Sequence, residues 1–114
     1  MPSMLVSVVE LEEFQRRARD LLSDAERMEL IDAVTANPLL GVSLGGGLRK
    51  WRVARPGAGK SGGYRVVHFF APAGGGPVFL LTLFAKSEKA NLSPREVADL
   101  AALGQRIADI YGRR

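Results

Sequence analysis

Seven consecutive residues, Val78-Phe79-Leu80-Leu81-Thr82-Leu83-Phe84, are apolar except for Thr82. Alternate side chains of a strand point to opposite faces, so a strand here is buried on both sides and reads as a central, covered strand. The run is too short to cross a bilayer, as are all the apolar runs in the chain, which stay below ten residues. At 114 residues and 46% hydrophobic content, one modest core is affordable without staples. With no cysteine there can be no disulfide or thiolate metal site, and with His68 as the only histidine a zinc site would depend almost wholly on carboxylates. No metal or cofactor is expected. The N-terminus lacks a basic segment followed by a long apolar stretch, so a cytoplasmic protein with no membrane partner is expected.

The remaining segments arrange themselves around that strand. Met4 to Val9 is a short β-branched run suited to an edge strand. Leu11, Phe14, Ala18, Leu21 and Leu22 then repeat at helical spacing. Ser23 followed by Glu26 is a capping box that restarts a helix, with Ala25, Met28, Ile31 and Val34 as its apolar stripe and Asn37-Pro38 as its stop. Residues 10–36 thus read as a helical hairpin. Gly45-Gly46-Gly47 reads as a loop, followed by β-like segments at 48–54, 64–71 and 78–85 joined at short range, which predicts an antiparallel meander. Ser93-Pro94-Arg95-Glu96 opens a last helix with an N-cap Ser and Pro in first position, and Val97, Leu100, Ala101, Gly104, Ile107 and Tyr111 carry it nearly to the end. No repeat and no linker divides the chain, so residues 1–114 read as one α+β domain.

Charge divides the chain differently. Residues 1–47 hold four arginines against eight acids, whereas residues 48–91 hold eight basic side chains against Glu88 alone. From residue 33 to 87 there is no carboxylate. Positive charge gathered in this way suits a surface that meets phosphate, although a solvated basic face accounts for the charge alone equally well.

The motifs narrow the chemistry. Gly59-Lys60-Ser61 mimics the end of a P-loop, but the first glycine of that motif falls on Ala54 and a strand rather than a helix follows. A glycine-rich loop carrying Lys60 remains, able to approach a phosphate backbone or to be a plain hairpin tip. Parity puts Lys50 and Arg52 on one face of the first long strand and Arg49, Trp51 and Val53 on the other. Arg65 shares a face with Val67 and Phe69, where a guanidinium needs a partner or an open surface, and a nucleic-acid phosphate would grip its planar fork. His68 falls on the opposite face from Arg65, among Tyr64, Val66 and Phe70, and reads as a packed histidine rather than a general base. Trp51 could stack on a base but is more simply core. Ser61 has no base beside it, and the acids lie at helical spacing away from the strands, so neither a triad nor a carboxylate pair is formed.

Taken in order, Val9-Glu10-Leu11 with Phe14, Asn37-Pro38, Gly46-Gly47-Leu48-Arg49-Lys50-Trp51-Arg52, Gly59-Lys60-Ser61-Gly62-Gly63-Tyr64-Arg65, Leu80 to Lys89 and Asn91-Leu92-Ser93 cover nearly the whole chain. Together they resemble the RelE/HigB superfamily of bacterial toxins, in its HigB-like branch. The resemblance implies a microbial-ribonuclease-like α+β fold: two N-terminal helices, a small antiparallel sheet and a C-terminal helix. It implies the toxin of a type II toxin–antitoxin pair, a metal-independent endoribonuclease that cleaves mRNA in the ribosomal A site by attack of a ribose 2′-hydroxyl. Its partners would be the ribosome, mRNA and a helix-turn-helix DNA-binding antitoxin. Carried across, Arg65 would stabilise the charged transition state, Lys50 and Arg52 would hold the mRNA backbone and assist proton transfer, and Lys86 would add a further active-site cation. Arg49, Lys60 and Lys89 would bind RNA or the ribosome. His68 stands where many relatives have tyrosine; facing the site, it would displace a lysine as the base. Two rivals remain: a catalytically inactive RNA- or antitoxin-binding module with the same fold, and an unrelated basic scaffold.

Overall fold

The computed structural model describes residues 6–54, 63–72, 76–89 and 91–112. The chain forms β1 (Val8–Glu10), α1 (Glu12–Leu21), α2 (Asp24–Ala36), β2 (Val42–Gly45), β3 (Leu48–Val53), β4 (Tyr64–Phe69), β5 (Val78–Ala85) and α3 (Pro94–Gly112). This is an α+β fold with a five-stranded sheet in the order β1-β5-β4-β3-β2.

The helices begin where their caps dictate. Ser23 accepts from the Glu26 amide at 3.1 Å and Glu26 accepts from the Ser23 amide at 2.7 Å, so two orphan donors of α2 are satisfied reciprocally. Ser93 and Glu96 repeat the device at α3, at 3.1 and 2.8 Å, with Pro94 as the first helical residue. Each such cap contributes about 1 kcal/mol.

β5 is covered on both faces as its composition requires. Toward α1 and α2 the sheet buries Trp51, Tyr64, Val66, Leu80 and Leu83 with Phe14, Ala18, Leu30 and Val34. Toward α3 it buries Leu48, Val67, Phe69, Phe79 and Phe84, with Val97, Leu100, Ile107 and Tyr111 packed on them. A bulge in β5 lets Thr82 pair with Val67 and Leu80 with His68, leaving Leu81 as the extra residue.

Three expectations are corrected. The sheet is mixed, because β1 runs parallel to β5, with Val8 opposite Val78. Short connections predict only neighbouring pairs, and this contact joins strands that lie far apart in sequence. The triple glycine is more than a loop: Val42–Gly45 is a strand paired with β3, and Gly46 and Gly47, at φ 61° and 88°, form the two-residue turn of a hairpin. Such a turn needs left-handed backbone at both central positions, which glycine adopts without strain. Finally, α2 turns Leu30 and Val34 inward while Met28 is 56% exposed. The inward stripe is Arg27, Leu30, Ile31 and Val34, because Arg27 pairs with Glu10 of β1 at 2.7 Å and turns that face to the sheet.

Candidate active site

Strand register decides what the basic residues can do together. Arg52 of β3 lies directly opposite Arg65 of β4, and Arg65 in turn opposite Phe84 of β5. Directly opposed side chains leave their Cβ atoms about 5 Å apart, and like charges so placed repel. Lys50 is two residues along β3, on the same face and about 7 Å away. α3 leaves this part of the face open: Arg52 is exposed, and Lys50 and Arg65 are half-buried. Lys86 follows β5 in an exposed turn. Among the described residues, none of Lys50, Arg65 and Lys86 is ion-paired with a carboxylate. Lys50 Nζ donates to Asn91 Oδ1 at 3.0 Å, and Arg65 Nη1 donates to its neighbour's carbonyl, Tyr64 O, at 3.5 Å. The cations therefore keep their field, which favours an anion at this end of the sheet.

The other basic residues are placed differently. Arg49 is on the opposite face, where Nε donates to Leu40 O at 3.3 Å and Nη2 to Gly41 O at 2.8 Å, holding the turn that leads into β2. Lys89 pairs with Glu96 and lies 5.8 Å from the centre of the Phe84 ring. Lys60 and its glycine-rich loop lie outside the described residues. A groove of about 260 Å³ between α1, β5 and α3 has Phe84 and Thr82 among its lining residues. Its charged lining is mixed, with Glu13, Glu96 and Asp99 set against Arg17 and Lys89, and Arg17 pairs with Glu13 and Lys89 with Glu96.

His68 is fully buried on the α2 side of the sheet, where both ring nitrogens are engaged. Trp51 Nε1–H donates to Nδ1 at 2.8 Å, and Nε2–H donates to the Pro38 carbonyl at 2.7 Å. Trp51 can only donate, so the ring is held neutral with its proton on Nε2. Burial pushes the pKa below 6.5, against the raising effect of the Pro38 carbonyl, and the Arg49 charge lowers it further. The unfolded chain takes up this proton as pH falls through about 6.5, whereas the folded chain does not until lower pH. The stability contributed by neutral His68 is therefore complete above about pH 6.5 and is lost as pH falls toward the folded-state pKa. Urea denaturation at pH 8, 6.5 and 5 should give falling midpoints for the wild type. His68→Phe, less stable at pH 8, should show a flatter response over that window. Equal slopes in the two proteins would contradict the neutral latch.

The order of landmarks, the mixed sheet and the open basic row meet in one comparison. The model of the RelE family, described as the RelE toxin of the RelE/RelB toxin–antitoxin system, matches residues 6–113. The chain belongs to the RelE toxin family. Membership makes it a toxin with an antitoxin as its partner. In this RelE-family chain no helix among the described residues is long and apolar enough to cross a membrane. Sequence parity correctly groups Lys50 with Arg52 and sets His68 against Arg65; the register that brings Arg52 opposite Arg65 is supplied by the fold. Asn91, unassigned by sequence reasoning although it opens the Asn91-Leu92-Ser93 landmark, is the side chain that receives Lys50.

Proposed function

We propose that this RelE-family toxin, in the HigB-like branch, is a ribosome-dependent mRNA endoribonuclease of a type II toxin–antitoxin pair. The observation that carries the reading is the opposed Arg52–Arg65 pair with Lys50 on the same open face. A scissile phosphate set against this row would meet the Arg65 fork, which can bind two equatorial oxygens at once. In the reaction the 2′-oxygen bonds to phosphorus as its proton passes to a base. The bond from phosphorus to the 5′-oxygen breaks, and that oxygen takes up a proton. The products are a 2′,3′-cyclic phosphate and a 5′-hydroxyl. Charge growing on the phosphoryl oxygens is met by Arg65 and Arg52. Lys50 is the base, and Lys86 flanks the strand end as a further cation. The burial of His68 on the far face supports a lysine in that role. Without an acid–histidine pair to drive proton transfer, much of the acceleration must come from alignment of the 2′-hydroxyl with the scissile bond, which a ribosome-held codon supplies. The antitoxin is a helix-turn-helix DNA-binding protein, and the toxin acts in the cytoplasm.

The test is a programmed translation reaction with mRNA 5′ ends mapped by primer extension, run with and without ribosomes. Cuts that need ribosomes and leave a 5′-hydroxyl are expected. Cuts on free mRNA would make the protein a general ribonuclease. No cuts from a folded, ribosome-bound protein would favour an inactive binding module.

A further inference from the structure

The segment between β5 and α3 is fastened at several points to the elements around it. Glu88 Oε2 accepts from Arg17 Nη1 of α1 at 3.0 Å, and the same arginine nitrogen reaches Leu83 O at 3.4 Å. Lys89 pairs with Glu96 in the first turn of α3. The Ser93–Glu96 capping box fixes where that helix begins. Asn91 lies between these anchors, and its Oδ1 accepts from Lys50 Nζ at 3.0 Å.

What faces Lys50 is unusual for a lysine. Arg52 and Arg65 share its sheet face, and Arg49 is on the other. The two carboxylates of the adjoining segment are committed elsewhere, Glu88 to Arg17 and Glu96 to Lys89. The acceptor left for Lys50 is a neutral amide. A flexible four-carbon side chain is thereby given a direction by a neutral acceptor, whereas a carboxylate in that place would favour the ammonium, which cannot take up the proton of the 2′-hydroxyl.

We propose that Asn91 is a positioning residue for Lys50, holding Nζ over the reacting face through a neutral acceptor that adds no negative charge to keep the amine protonated. The proposal rests on the endoribonuclease reading above. Asn91→Ala releases Lys50, so kcat for ribosome-dependent cleavage falls about tenfold, within the range expected when a catalytic group loses alignment. The ribosome concentration giving half-maximal rate and the melting temperature stay close to wild type. Asn91→Asp keeps an acceptor but adds an anion, which holds a proton on the lysine; cleavage at neutral pH falls further and the acidic limb of the pH–rate profile moves upward. Asn91→Gln retains the amide and recovers part of the rate.

The experiment compares wild type and these three variants by single-turnover cleavage on programmed ribosomes across pH 6–9, with melting temperatures in parallel. Wild-type cleavage with unchanged rates and pH profiles in Asn91→Ala and Asn91→Asp overturns the proposal and leaves the endoribonuclease reading intact. A fall in rate that merely tracks lost melting temperature, with no movement of the pH profile, makes Asn91 structural and also overturns it. If the wild type does not cleave, the functional reading fails and the positioning role falls with it.

Discussion

Arg65→Ala is expected to reduce ribosome-dependent cleavage by about 10²–10³-fold, the loss typical when one preorganised donor to a developing charge is removed. The fold should survive. Arg65 is half-buried, its one described side-chain hydrogen bond is a 3.5 Å contact to the carbonyl of its own neighbour, and its removal relieves the charge repulsion with Arg52 across the strand pair. The urea midpoint should therefore be unchanged or slightly raised. Arg65→Lys restores the charge but not the planar fork, so it should recover only part of the rate. The readouts are primer-extension rates on programmed ribosomes and urea denaturation of the same preparations. A folded Arg65→Ala protein that cleaves at the wild-type rate would remove Arg65 from the active site.

The largest loss of stability is expected from Gly104→Val. Gly104 lies inside α3, where a Cβ would come within 2.3 Å of Phe69 Cδ2, 2.5 Å of Cγ and 2.8 Å of Cβ. These are the stem of the side chain, not a tip that can swing aside. Phe69 cannot retreat easily, since Gly47 meets the far end of the same ring, where a Cβ would lie 2.7 Å from Cε2. The two glycines thus hold one phenylalanine between helix and hairpin. Overpacking such a site costs about 1–3 kcal/mol for a small addition, and valine adds branching that a helix disfavours, so a loss of about 3 kcal/mol or more is expected. That is a large share of the 5–15 kcal/mol typical of a domain. Gly104→Ala gains up to about 1 kcal/mol of helix propensity against the clash and should be the milder change. Denaturation midpoints give both values. A Gly104→Val protein as stable as wild type would mean that α3 can lift from Phe69 at no cost.

What could be read from the sequence depended on whether the signal was local. Ser23 with Glu26 and Ser93-Pro94 with Glu96 mark helix starts because capping is settled within four residues, and both boxes are formed. Strand parity sorts Lys50, Arg52 and Arg65 from Trp51 and His68 because alternation is a property of the backbone. The failures share a different cause. The inward face of α2 includes Arg27, which any hydrophobicity pattern would turn to solvent, and its burial follows from Glu10 seventeen residues earlier. β2 is four residues with only Val42 and Leu44 to announce it, so its pairing with β3 carries the information that its composition lacks. The parallel pairing of β1 is a contact seventy residues away in sequence. At the candidate site, residue types were visible as motifs. The opposition of Arg52 to Arg65 depends on strand register, and the hand of Asn91 on Lys50 depends on where a helix cap falls.

The strand order has a consequence for how the protein comes to exist. β1 hydrogen-bonds to β5, and α1 lays Phe14 and Ala18 against a sheet whose β5 strand is synthesised some sixty residues later. Contacts this distant in sequence must wait for loop closure and slow the search for the native state. A nascent chain that has emerged only as far as β4 owns Lys50, Arg52 and Arg65 but neither the strand that backs them nor Asn91, which accepts from Lys50. Assembly of the basic row against β5 and Asn91 is thus deferred until residues 78–91 have been made.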